Sequence, residues 1–285
     1  MQVCHSVREL RAFFSPSSAI KGGLCPDDGQ FACRTLPILV TQAKQLAEIV
    51  VVSIFVNPLQ FGVNEDFGSY PRTLAADCEQ LEAVGADVVF APTVTEMYPD
   101  FDGQDLRQAV VIQPPALANE LCGASRPGHF VGVATVVAKL FNMVQPQVAV
   151  FGKKDYQQLM VIRTLVRQLN FNVEIVAGET VREPSGLAMS SRNGYLSATG
   201  KTQAAQLYQQ LQRIKQALLA GQRDYASLCE QAVAGLNQQG WQVDYVDIRR
   251  QTDLTLPDAN DQAWVILAAA KLGGTRLIDN CEVSL

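Results

Sequence analysis

Four short stretches carry side chains able to grip a charged small molecule. "FVNPLQF" (55–61) sets two amides, Asn57 and Gln60, directly after a run of β-branched residues. Amides in that position either hydrogen-bond a ligand's hydroxyl or carboxylate or cap the element that follows. "FGKKDYQQL" (151–159) places Gly152, Lys153, Lys154 and Asp155 at the start of a helix that carries Gln158. Free N–H groups and an ammonium pointing the same way suit an anion, and a solvated charge cluster is the plain alternative. "LAMSSRNGYL" (187–196) offers the hydroxyls of Ser190 and Ser191 and then Arg192, whose planar fork can clasp two phosphate oxygens. "GASRPGHF" (123–130) adds Arg126 in a turn-rich loop, placed to hold a carboxylate, with His129 beside it as a packing residue.

The elements around these stretches bring most of them to strand ends. "IVVVSIF" (49–55) is a short β-branched run of the kind buried on both faces of a sheet. Residues 77–92 read as a helix, a glycine stop and a strand, "DVVFAP"; 133–152 repeat that plan, ending in "VAVFG", and 158–179 do so again. Helix-then-strand units of this length require crossover connections, so the expected fold is α/β, a Rossmann-like parallel sheet with helices on both faces. In open sheets of this type ligands bind beyond the carboxyl ends of the strands. After about residue 178 the pattern changes to a long amphipathic helix (201–222), a second helix, strand "VDYVDIR" and a closing strand pair. The expected division is therefore residues 1–178 and a smaller α+β domain over 179–285.

Bulk properties narrow the partners. The chain has 285 residues, a net charge of -5 and no basic stretch, which argues against nucleic acid. Seven cysteines without a C-x-x-C pair make a poor disulfide framework and a poor zinc site. The N-terminus lacks the apolar core of a signal peptide and no apolar run of membrane-spanning length exists, so a cytoplasmic protein is expected.

Taken in order, "VVSIFVNPLQF", "YPRTLAADCEQLE", "CGASRPGHFVGVATVVAKLFNMVQP", "FGKKDYQQL", "GLAMSSRNGYL" and the closing "RLIDN" resemble the pantoate–β-alanine ligases of the nucleotidylyltransferase group. The resemblance runs from about residue 48 to the C-terminus. It implies a ligase that joins pantoate to β-alanine with ATP and Mg2+ through a pantoyl adenylate, and a homodimeric assembly. It implies that residues 1–178 bind ATP and pantoate and that 179–285 form a lid. By position it makes Gln60 and Gln158 the pantoate amides, Gln60 also meeting β-alanine, with Asn57 and Arg126 as further pocket residues. Gly152, Lys153, Lys154 and Asp155 resemble the ATP loop, and Met189, Ser190, Ser191 and Arg192 the second phosphate loop. Lys154, Ser190, Ser191 and Arg192 thereby become the catalytic set, while Val181 would meet adenine through its backbone. No protein-built metal site is implied. Lys153 departs from the family, many members of which carry an acidic residue there.

A larger departure lies at 26–37, "PDDGQFACRTLP". The family places "PTMGxLHxGH" here, with two histidines that stabilise the phosphates; this chain has Ala32 or Cys33 and Thr35 or Leu36 at those positions. None of these side chains can donate a charged hydrogen bond. Codons chosen for "PDDGQFACRTL" and read one base later spell Pro-Thr-Met-Gly-Asn-Leu-His-Ala-Gly-His. The expectation is a compensated frameshift over 22–37, either an error of record or a lesion in the gene. If it is a lesion, catalysis suffers more than folding. The same stretch has few strand-forming residues before Pro26, and Pro37 is compatible with a helix only in its first turn.

Overall fold

The computed structural model describes residues 1–14, 22–27, 35–62, 66–68 and 72–285. Two compact units are present, one of residues 1–153 with 161–178, the other of 154–160 with 179–285. In chain order the elements are β1 (Gln2–Cys4), α1 (Val7–Phe14), β2 (Gly22–Asp27), α2 (Thr35–Leu46), β3 (Ile49–Ile54), α3 (Leu74–Ala83), β4 (Val88–Phe90), α4 (Val94–Met97), α5 (Cys122–Ser125), α6 (His129–Val144), β5 (Val148–Gly152), α7 (Tyr156–Gln168) and β6 (Glu174–Gly178). There follow α8 (Ala198–Leu219), α9 (Tyr225–Gln238), β7 (Trp241–Arg250), β8 (Ala263–Leu272) and β9 (Thr275–Ser284).

The first unit is built on a six-stranded sheet of order β1-β4-β3-β2-β5-β6, every recorded pairing parallel. The expected α/β class is thus observed. Residues 50–54 of β3 are all buried, as a strand covered on both faces must be. Helix α2 turns Leu36, Leu39, Val40 and Ala43 onto the sheet, where they meet Val50, Val52, Val89 and Val150. That spacing is one helical stripe, and each buried aliphatic side chain contributes about 1.5–3 kcal/mol.

The strand left unsecured by the sequence forms: β2 pairs with β3 from Gly22↔Ile49 to Asp27↔Ile54 and meets β5 at Gly23↔Val148. Pairing on both sides outweighs the weak intrinsic preference of "GGLCPD". Pro37 is the third residue of α2, within the turn where a missing N–H costs nothing. Residues 28–34, which include Ala32 and Cys33, lie outside the described residues. Helix α6 starts at His129, four residues ahead of the expected 133, after Gly128 at φ +84°. β1, α1, α4 and α5 were not anticipated. All but α1 are of four residues or fewer, too short to show a period.

The second unit folds helices on an antiparallel sheet, β7-β8-β9. Leu207, Leu211, Ile214 and Leu218 of α8 pack with Leu228, Ala232 and Leu236 of α9 and with Trp241, Ile248, Trp264 and Ile266. Ser197 and Asp224 cap the two helices by accepting from the N–H groups of Gly200 and Ser227. β8 and β9 form a tight hairpin across Gly273 and Gly274, with Gly273 at φ +58°.

Candidate functional site

In a parallel sheet all carboxyl ends share one edge. Here the ends of β3, β2, β5 and β6 are neighbours in that order, and the candidate residues cluster in the chain just beyond them. Past β3, Asn57 is buried and caps the turn Pro58–Gln60 by accepting from Leu59 N–H at 3.2 Å. Its Nδ2 donates to Gln60 Oε1 at 3.0 Å and to the Gly132 carbonyl at 3.2 Å, and its Oδ1 also accepts from the Tyr98 hydroxyl at 2.5 Å. Burial pushes the Tyr98 phenol well above its ordinary pKa, so it stays a neutral donor. Of the two readings of Asn57 the cap is observed: it caps the turn and also holds the Gln60 side chain.

His129 takes part as well. Its Nδ1 lies 2.9 Å from the Gln60 carbonyl and its Nε2 lies 3.1 Å from Arg126 Nη1. Three of the sequence-derived candidates, Asn57, Gln60 and Arg126, thus belong to one hydrogen-bonded cluster, with His129 as the link. Gly132 lets α6 come this close: a Cβ there would stand 2.5 Å from the Leu59 carbonyl oxygen and 2.6 Å from the Gln60 nitrogen.

Past β5 and β6, both strands end in glycine, paired Gly152↔Gly178. A Cβ on Gly152 would meet nothing within 4 Å, whereas one on Gly178 would run into Leu39 Cδ2. The chain leaves Gly152 into the turn Lys153–Asp155, where Lys154 Nζ stands 3.9 Å from Asp155 Oδ2, and then enters α7. Gln158, half-buried, is the third residue of α7, beside the buried Gln157.

In the second unit Met189 N–H donates to the Val181 carbonyl at 2.9 Å, so the adenine candidate and the second phosphate loop share a bond. Ser190 Oγ accepts from Arg192 N–H at 3.3 Å, starting the turn Ser191–Tyr195. Asn193 anchors that turn through Nδ2 to the Ala188 carbonyl at 3.1 Å. The half-buried side chains of Met189, Ser190, Ser191 and Arg192 follow one another on it.

Three contributors escaped the sequence reading. Tyr98 and Gly132 belong to no motif that names them. His129 passes for a packing residue until its two ring nitrogens are seen to bridge Gln60 and Arg126.

The pantoate-beta-alanine ligase family matches residues 2–282. The chain belongs to that family. A "pantothenate synthetase" of Methylobacillus flagellatus is 52% identical over 285 residues, covering 100% of this chain and 99% of the relative. One from Neisseria meningitidis serogroup C is 53% identical, with 100% of each chain covered. Among solved structures, pantothenate synthetase from Thermus thermophilus superposes with a TM-score of 0.91 at 40% identity, covering 100% of both chains. The pantoate-beta-alanine ligase of Francisella tularensis, crystallised with "Beta-gamma ATP and Beta-alanine", gives 0.82 at 33% identity over 99% of this chain and 97% of that one. Family membership thus extends across the stretch ahead of residue 48, where the sequence resemblance began.

Proposed function

We propose that this ligase-family chain condenses pantoate with β-alanine, consuming ATP and releasing AMP and pyrophosphate. The observation that carries the reading is the cluster beyond a parallel strand in which Asn57 holds the Gln60 side chain and His129 bridges the Gln60 backbone to Arg126, setting an amide and a guanidinium in fixed relation. Such a set suits a small hydroxy acid. In the first step a pantoate carboxylate oxygen attacks the α-phosphorus and the bond to the bridging oxygen breaks, expelling pyrophosphate. In the second, the β-alanine amine attacks the acyl carbon, loses a proton, and AMP leaves.

Gln60 and Gln158 would orient pantoate, with Gln60 also meeting β-alanine; Arg126 would face a carboxylate through its bond to His129. Gly152, Lys153, Lys154 and Asp155 would receive the triphosphate, and Val181 the adenine. Ser190, Ser191 and Arg192 would meet charge building on the phosphates, with Met189 leading into their loop. Cations and N–H donors fixed there before reaction act where that charge develops. Residues 1–178 would bind ATP and pantoate, and 179–285 supply the second phosphate loop.

Among the described residues no three His, Cys, Asp or Glu side chains come together as a metal cage. Mg2+ bound to ATP would supply positive charge against the phosphates in the first step. The proposed setting is a cytoplasmic homodimer. No helix among the described residues is long and apolar enough to cross a membrane.

A second reading, a homologue that binds ligand without turnover, rests on one fact of sequence: the stretch 22–37 contains no histidine. Each phosphate donor so lost is worth on the order of 10²–10³-fold in rate. AMP release that requires both pantoate and β-alanine supports the ligase, and ligand binding without AMP supports the second reading. Sequencing the DNA under codons 20–40, or weighing a tryptic peptide across 22–44, tells an error of record from a lesion.

A further inference from the structure

In the middle of strand β9, between Leu277-Ile278 and Cys281, sit two adjacent buried polar residues, Asp279 and Asn280. Asn280 Nδ2 donates to the Lys154 backbone carbonyl at 2.8 Å, across 126 positions of sequence. Two positions on, Glu282 Oε1 accepts from the Tyr156 hydroxyl at 3.0 Å. The chain from Lys154 into α7 is therefore tied to β9 at two points.

The same dipeptide also holds the other candidate phosphate loop. Arg182 donates to both carboxylate oxygens of Asp279, at 2.7 and 2.9 Å, and to the Asn280 carbonyl at 3.1 Å. Its Nη1 also reaches the Gly186 carbonyl at 3.0 Å, and its guanidinium lies over the Tyr208 ring at 3.5 Å. Arg182 directly follows Val181 and bridges in sheet fashion to Ala188, which precedes Met189. Burial pushes the Asp279 carboxyl up, against the pull of the guanidinium. A buried carboxylate with this fork on it fixes a geometry more than it adds stability.

We infer that Asn280, seated by the Asp279–Arg182 pair, is a positioning residue: it sets the Lys154 backbone against the loop that runs from Val181 to Arg192. This rests on the functional reading above, in which both segments receive ATP. The side chains of Asp279 and Asn280 are engaged with Arg182 and the Lys154 carbonyl. Asn280 acts through the Lys154 carbonyl, and small misplacements of a group facing the phosphates are costly.

The test compares ATP and adenosine affinities, by titration calorimetry on the full chain, for the parent, Asn280→Leu and Asn280→Gln. Asn280→Leu keeps the volume and loses the donor. ATP affinity should fall on the order of tenfold or more, while adenosine, which lacks the phosphates, stays within about twofold. Asn280→Gln retains an amide donor and should recover part of the loss. Equal ATP affinity in Asn280→Leu and the parent overturns the inference. So does a parallel loss of ATP and adenosine, which marks a merely structural role. Should Asn280→Leu not fold, the smaller Asn280→Ser is judged by the same ratio. A parent that binds no ATP overturns the functional reading instead, and the two failures remain distinct.

Discussion

Asn57 spends its whole hydrogen-bonding capacity inside the protein, two donors and two accepted bonds. In Asn57→Ala the buried Tyr98 hydroxyl and the Gly132 carbonyl each lose a partner, and a buried polar group left unpaired costs about 1–3 kcal/mol. The expected outcome is a lower urea midpoint together with a raised KM for pantoate, since Gln60 loses the bond that aims it. Asp253 gives a pH signature within the second unit. The Arg250 side chain, helped by Thr255, holds its carboxyl down at about 2. A depressed carboxyl stabilises the fold above its unfolded pKa and loses that contribution as pH falls through the folded value. The parent should therefore exceed Asp253→Asn in urea midpoint at pH 5, and the gap should close as pH approaches 2.

At the scale of elements, α6 and the turn Pro58–Gln60 depend on one glycine. Replacing Gly132 by alanine favours an isolated helix by about 1 kcal/mol. Here the added methyl meets backbone atoms at 2.5–2.6 Å, and overpacking of this kind costs about 1–3 kcal/mol. Gly132→Ala should thus destabilise the protein against the propensity trend and raise the KM for pantoate and β-alanine, with ATP affinity unchanged; thermal melts and steady-state kinetics check both. The helix within 133–152 and the strand at 49–55 were legible in the sequence, the latter from the unbroken β-branched "IVVVSI" of β3. β1 and α4 are too short for a period. The contacts that assemble the cluster were not legible either, because Asn57 meets Gly132 across 75 positions and His129 meets Gln60 across 69. The Asp-Asn of "RLIDN" stood in the sequence only as part of a matching stretch, and the partner of Asn280 at Lys154 lies 126 positions away.

For the molecule as a whole, ligand binding and turnover are separable measurements. ATP at about a hundredfold its Kd stabilises a folded protein by about 2.7 kcal/mol, and a chain of this size responds with roughly 2–4 °C per kcal/mol. ATP should therefore raise the melting temperature by several degrees even in a chain whose 22–37 stretch has no histidine. A melting temperature that ATP leaves unmoved would count against both functional readings. Each of β2, β3, β5 and β6 is held in the sheet by its own strand pairing. The stretch 22–37 has no histidine, so imidazole supplied from solution is a rational rescue agent if turnover proves weak. If the stretch is a lesion, a repair in the gene would need to rewrite only its codons and leave the paired strands as they stand.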